Sequence, residues 1–287
     1  MLMDMNFKHM SMVLVSMGLI CLLFITFSQK NEKINVTVPG VREIKIQETS
    51  NRYEKFLSDR KKLSILLNQE KKKSGQLECN IKNTGTKGEE QVADSGGYCQ
   101  EEGSIKKRQG YTDTSLTNQV SILLKGKRVG AFGDGPGMYK QSYDKIGLLD
   151  VYDAYDGAPF IETETSGSVK FLDLTIPQYG LPIYDWVICL EVAEHIPVEY
   201  EDIFLSNLAR HAKTGLILSW AVPGQPGHYH VNNKEFSLVI ETLRKVGFDR
   251  DEKMSKFLQT QARNGVFKSN LNVYYRNENF PIDMDDA

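Results

Sequence analysis

Gly133-Asp134-Gly135-Pro136-Gly137 has the residue types of a turn that lets a ligand lie against the backbone. Glycine tolerates the backbone angles of a tight turn, and its missing side chain permits close approach. The spacing is Gly-x-Gly-x-Gly, which differs from the dinucleotide form Gly-x-Gly-x-x-Gly. On its own a cluster of Gly, Pro and Asp is more often just a turn. Acids further along the chain change the weighing. Asp156, with Asp153 as second choice, lies about twenty residues on, where a carboxylate can bond ribose hydroxyls. Asp173 and Glu191 close the next two apolar runs. Each acid alone reads as a cap or turn residue, but the series points to one ligand site.

A second group of residues can move protons. Glu191, Glu194 and His195 fall within Glu191-Val192-Ala193-Glu194-His195, and His228 and His230 follow in the stretch 219–232. Carboxylates and imidazoles are suitable bases for a hydroxyl or ammonium nucleophile. Glu191, His195 and His230 are the residues selected for that work. The 219–232 stretch also has a structural reading, in which Asn232 caps the next helix and Trp220 fills core. The two readings are compatible.

These residues need a scaffold that brings strand ends together. From about residue 115, short apolar runs alternate with helical patterns, the signature of a parallel sheet covered by helices. Strands are expected at 128–132, 149–155, 169–172, 186–190, 216–220 and 272–276. Helices are expected at 115–124, 200–212, 233–246 and 252–267. Open sheets of this kind bind ligands beyond the carboxyl ends of their strands, where the glycine turn and the acids fall.

With that pattern the chain resembles the class I S-adenosylmethionine-dependent methyltransferases, in particular the type 11 and ubiquinone-biosynthesis-like branch, over residues 112–276. The resemblance implies a Rossmann-like three-layer α/β sandwich, its sheet mostly parallel with an antiparallel last strand. It implies S-adenosylmethionine as cofactor, with Gly133, Asp134, Gly135 and Gly137 in the methionine-binding loop. Asp156 would take the ribose, Asp173 the adenine amino group, and Glu191 the methionine and acceptor side. One position departs from the family pattern: an acid usually precedes the first glycine by two residues, and here that residue is Ala131. Glu191, Glu194, His195 and His230 also resemble the ligand set of metal-dependent methyltransferases that modify RNA 3′ ends. A mixed oxygen and nitrogen set would suit Mg²⁺ or Mn²⁺. The reading adopted is metal-free, because displacement from a sulfonium requires alignment and water exclusion rather than a Lewis acid.

Composition narrows the partners. The 287 residues carry a net charge of −2 with both signs interspersed, so no nucleic-acid partner is expected. Met12–Phe27 is almost continuously apolar and long enough to cross a bilayer as a helix. The expected organisation is a tail at 1–9, a transmembrane anchor or signal segment at 10–29, a stem and linker at 30–110, a methyltransferase domain at 111–277 and a tail at 278–287. Within the stem an amphipathic helix is expected over 51–68, and Lys71-Lys72-Lys73 reads as its solvated end. The sequon Asn35-Val36-Thr37 and a pairing of Cys79 with Cys99 favour a lumenal or extracellular body. The basic flank from Lys30 to Lys45 favours the cytosol. The expected acceptor is a small molecule, lipid or glycan. A catalytically silent, membrane-tethered binding module is the alternative, favoured by Ala131.

Overall fold

A computed structural model describes residues 10–16, 19–26, 35–37, 46–85, 91–99 and 112–282. The tail at 1–9, the linker residues 86–90 and 100–111, and the end of the C-terminal tail lie outside the described residues. The chain forms two compact units, Met1–Arg60 and Lys61–Ala287.

In the first unit the apolar run is a β-hairpin, which corrects the expected helix. Strand β1 (Met10–Ser16) pairs antiparallel with β2 (Leu19–Thr26), Met10 opposite Ile25 and Ser16 opposite Leu19. A third strand, β3 (Asn35–Thr37), carries the sequon and pairs with β2. An unbroken apolar run has no period that separates strand from helix. Here Val13, Val15, Ile20, Phe24, Ile25 and Thr26 supply the β-branched and aromatic content that strands favour. No helix among the described residues is long and apolar enough to cross a membrane.

Helix α1 (Ile46–Gly85) is far longer than the expected 51–68 and runs on into the second unit. Its residues from 61 onward belong to the folded body, which corrects the stem boundary at 110. Ser64 Oγ donates to the Pro177 carbonyl (3.0 Å) and accepts from the Tyr179 amide (2.9 Å). The Asn68 side chain donates to the Phe171 carbonyl and accepts from the Asp173 amide, both at 3.0 Å. Lys72 pairs with Glu162, so the lysine run is more than a solvated end. These anchors are polar, and a search for apolar periodicity passes over them.

The second unit is built on a seven-stranded sheet. Its elements in chain order are α2 (Thr114–Leu123), β4 (Arg128–Phe132), α3 (Met138–Ile146), β5 (Val151–Asp156), α4 (Ile161–Glu164), β6 (Val169–Phe171), β7 (Tyr184–Cys189), α5 (Glu201–His211), β8 (Ala212–Leu218), α6 (Phe236–Lys245), β9 (Phe248–Asp251), α7 (Glu252–Gln261), α8 (Phe267–Asn270) and β10 (Asn272–Arg276). The strand order is β6-β5-β4-β7-β8-β10-β9; β10 is antiparallel to both neighbours, and the pairs from β6 to β8 are parallel. This is the expected Rossmann-like α/β sandwich. The expected strand at 216–220 lies earlier, at 212–218. The expected helix 252–267 is divided into α7 and α8.

Alternation along the strands feeds two apolar cores, as a sheet covered on both faces requires. Val129, Ala131, Ile188, Ile217 and Val273 face one side with Leu116 and Val120 of α2 and Leu258 of α7. Phe132, Val187, Leu216 and Leu218 face the other with Leu205 and Leu208 of α5 and Leu243 of α6. His211, at the end of α5, sits fully buried against the second core. Its Nε2 bonds the Gln178 carbonyl at 3.1 Å, and its Nδ1 has no hydrogen-bond partner. Burial pushes its pKa from the ordinary 6.5 down to about 4. A depressed imidazole pKa favours the fold while the ring stays neutral in both states. That stability is lost as pH falls from 6.5 through about 4, because the unfolded chain takes up the proton first. The loss approaches about 3 kcal/mol at the acid end, at roughly 1.4 kcal/mol per pKa unit. Urea midpoints at pH 7.5 and 4.5 should therefore lie closer together in His211→Gln than in the wild type.

Candidate functional site

The strand order reverses between β4 and β7, and the expected site residues gather at the carboxyl ends of these strands. Chain connections leave β4 in one direction and β7 in the other, which opens a crevice between them. Gly133, Gly135 and Gly137 follow β4 with φ of +94°, +62° and +82°, a region that L side chains avoid. A Cβ on Gly133 would fall 2.1 Å from Val192 Cγ2, so this glycine allows the turn to pack on the segment after β7. A Cβ on Gly135 would meet nothing within 4 Å. That glycine faces open space, as a backbone cradle for a ligand would.

Asp156 ends β5 beside this loop. Its Oδ2 accepts from the Gly135 amide and its Oδ1 from the Ala158 amide, both at 2.9 Å. Gly133, Gly135, Asp156, Asp173, Glu191 and His195 all line one cleft that opens to solvent. Asp153, the second choice, instead accepts from the Tyr184 hydroxyl (2.9 Å) and does not line the cleft. Asp173 reaches the cleft but also closes its own turn, its Oδ1 accepting from the Thr175 amide and hydroxyl. Asp134 turns away and is buried, accepting from the Tyr152 hydroxyl at 2.6 Å. Burial raises its pKa to about 7. It lines a second cavity with Ala131, Tyr139 and Phe267, which meets the first at Gly133, Gly135 and Glu191.

The proton-moving residues also converge. Glu191 holds a positive φ of +54°, unusual for a residue with a side chain and often found at functional sites. Its carboxylate is fixed by two amides, Asn270 Nδ2 and Gln225 Nε2, each at 2.7 Å. Glu194 and His195 occupy a short 3₁₀ turn, Ala193–His195. Glu194 is fully buried, and burial followed by repulsion from Glu191 raises its pKa to about 8. His195 Nδ1 bonds the Tyr229 carbonyl at 3.1 Å; burial, and then His230, lowers its pKa to about 4. At neutral pH His195 is thus a neutral imidazole that can accept a proton. The His230 ring lies edge-on to His195, with centroids 5.0 Å apart. Glu194, His195 and His230 each present one ligand-type atom within 4.8 Å of the others, the one such group that could hold a metal among the described residues.

His228 is exposed, and its backbone carbonyl accepts from the Tyr98 hydroxyl. Trp220 is core, donating to the Asn232 carbonyl at 2.6 Å. Asn232 does not cap the following helix, which starts at Phe236 behind Glu235; its side chain donates to Glu201.

Sequence reasoning missed one wall of the cleft. Ser95, Gly96, Gly97 and Tyr98 line it, although they lie in the region expected to be linker. A Cβ on Gly96 would fall 2.3 Å from the His195 carbonyl oxygen, and one on Gly97 2.0 Å from that of Gly157. The segment is therefore wedged between the turns that carry Asp156 and His195. A disulfide between Cys79 and Cys99 ties it to α1. The Cys79–Cys99 pair is the sequence signal for this wall. Asn270 was missed as well, because α8 was read as the tail of a longer helix.

No protein-family model matches the chain, and no curated protein matches it. Solved structures with similar architecture include magnesium protoporphyrin IX methyltransferase from Synechocystis PCC 6803 with bound SAH. It is 21% identical, with a TM-score of 0.41 over 57% of this chain and 83% of that one. A sugar N-methyltransferase from Streptoalloteichus sp ATCC 53650 is 12% identical, with a TM-score of 0.48 over 61% and 92%. A methyltransferase from Streptomyces caelestis is 9% identical, with a TM-score of 0.45 over 58% and 91%. At this level of identity and overlap they carry no argument about function.

Proposed function

We propose that the second unit transfers a methyl group from S-adenosylmethionine to a small-molecule, lipid or glycan acceptor. The observation that carries the reading is the Asp156–Gly135 contact at the strand-order reversal. A strand-end carboxylate, of the kind that can take ribose hydroxyls, and an unobstructed glycine turn are there locked to each other. Asp156 would hold the ribose hydroxyls. Gly133 and Gly135 would admit the amino-acid end, and Asp173 and Leu172 would line the base. Glu191, fixed by Asn270 and Gln225, would face the reacting end. The bound cofactor supplies an electrophilic methyl group on a sulfonium. The chain aligns the acceptor, excludes water through the 91–99 wall, and offers the neutral His195 ring to receive its proton. The catalytically silent alternative rests on Ala131, which removes a carboxylate from the second cavity.

Isothermal titration of the full-length protein with S-adenosylmethionine and S-adenosylhomocysteine tests the reading. Asp156→Ala should weaken both by at least tenfold, since charge-assisted hydrogen bonds of about 1.5–3 kcal/mol are lost. An unchanged affinity in a folded variant would remove Asp156 from the site. Methyl-donor turnover with glycan and lipid acceptors separates catalysis from silent binding.

The body is further proposed to lie outside the cytosol, as the Cys79–Cys99 disulfide and the sequon at Asn35 favour. Attachment to the membrane through residues 12–27 belongs to the same proposal and rests on their composition.

A further inference from the structure

We propose that the outward face of α1 is the contact through which two copies of this chain pair, antiparallel, into a two-fold dimer. Within the second unit this helix turns its polar side inward. Ser64, Asn68 and Lys72 bind the body, and Cys79 is buried. Gly75 lies so close to Pro159 that a Cβ would fall 2.8 Å from its Cγ. Leu63, Leu66, Leu67, Leu77 and Ile81 are left in water, each between 44% and 72% exposed. A surface helix normally does the reverse, burying its apolar stripe on the core. Single exposed leucines need no explanation, but these recur at a fixed period.

Leu63, Leu67, Glu70, Ser74, Leu77 and Ile81 follow one another at alternating steps of four and three. That alternation is the seam of a two-stranded coiled coil, in which each side chain enters a hole on the facing helix. Run antiparallel against itself, the seam is its own complement. Leu63 falls opposite Ile81 of the second copy, Leu67 opposite Leu77, and Glu70 opposite Ser74; symmetry repeats each contact in reverse. Apolar ends thus cover apolar ends, and the polar centre meets the polar centre. Glu70 keeps its ion pair with Lys73 of the same helix at 2.7 Å. A parallel pair would instead stack Glu70 on Glu70, like charges within the seam.

The area is sufficient. Exposures of 44–72% leave on the order of 100 Å² on each of the five side chains, so a pair of helices would cover about 1,000 Å², where specific interfaces begin. A lipid surface is the other apolar medium that would suit the leucines, with Lys61, Lys62, Lys71 and Lys73 on the same stretch. It would also press the Glu70 carboxylate into the apolar boundary, which the dimer avoids. The contact is independent of methyl transfer, and the Cys79–Cys99 bond stays on the inward side of the helix.

Sedimentation equilibrium of the full-length protein in mild detergent should give the mass of two chains at micromolar concentration. Leu67→Glu/Leu77→Glu should raise the dissociation constant by about a hundredfold or more, with unchanged circular dichroism, since neither side chain packs in the body. Orientation is read by mild oxidation of single-cysteine variants, each in a Cys21→Ser background. Leu67→Cys protein mixed with Leu77→Cys protein should form a covalent dimer, and neither should do so alone. A monomeric wild type overturns the proposal, as does a dimer that survives the double substitution. Covalent dimers of each variant alone would overturn the antiparallel arrangement. Flotation of a monomeric wild type on phosphatidylcholine–phosphatidylserine vesicles, lost in Leu67→Glu/Leu77→Glu, would assign the stripe to lipid instead.

Discussion

Gly135→Val abolishes cofactor binding while the body stays folded. The Gly135 amide already serves Asp156, and a substitution keeps that donor. What it adds is bulk in the space that faces the cleft, where a Cβ meets no protein atom within 4 Å. A branched side chain there occupies the volume of the ligand and displaces nothing in the core. The φ of +62° adds a local backbone cost of about 1–3 kcal/mol, which lowers the melting temperature without unfolding the sheet. At Gly133 the outcome differs, because a Cβ collides with Val192 and must move the segment after β7. Titration of S-adenosylhomocysteine into Gly135→Val should show no saturable binding in a sample with wild-type circular dichroism. Gly135→Ala isolates the backbone strain and should retain part of the affinity. Full-affinity binding by folded Gly135→Val would place the ligand elsewhere.

The legible parts of this molecule are those in which local and tertiary forces agree. Strands β4 and β10 were placed residue for residue, since apolar runs bounded by turn residues in a two-sided core leave little alternative. The glycine loop and Asp156 were legible because backbone angle and strand end dictate their types. Helix α3 and strand β9 were not foreseen. The first is largely polar and starts behind a left-handed glycine; the second is a four-residue edge strand. Residues 61–85 and 91–99 were hidden for another reason. Their attachment depends on side-chain amides, hydroxyls and one disulfide, which have no periodic signature. The paired strands 10–16 and 19–26 illustrate the limit of composition, because apolar content alone does not choose between helix and strand. Glu194, His195 and His230 were visible as residue types, but only the folded loop after β8 shows that they come together.

The double replacement Cys79→Ser/Cys99→Ser lowers stability by about 3 kcal/mol, the chain-entropy value for a loop of this size. The two cysteines are 20 residues apart and buried, with Ala93 and Phe160 packed around them. The bond holds the segment that presents Gly96, Gly97 and Tyr98 to the cleft. Lys82 reinforces it through the Val92 carbonyl at 2.9 Å and the Asp94 carboxylate at 3.0 Å, contacts exposed enough to be individually weak. Without the disulfide the wall opens more often, and S-adenosylhomocysteine affinity falls along with the urea midpoint. A fall in stability with unchanged affinity would make the wall a structural strap rather than part of the binding site. The same bond reports the compartment. In protein alkylated during extraction without reductant, Cys79 and Cys99 should escape labelling even after unfolding, whereas the buried free thiol of Cys189 is labelled once the chain unfolds. Intact microsomes should protect the body from protease, and carbonate extraction should leave it in the membrane fraction. Labelled Cys79 and Cys99, with digestion in the absence of detergent, would place the body in the cytosol. Protection followed by release into carbonate would mean that residues 12–27 do not anchor it.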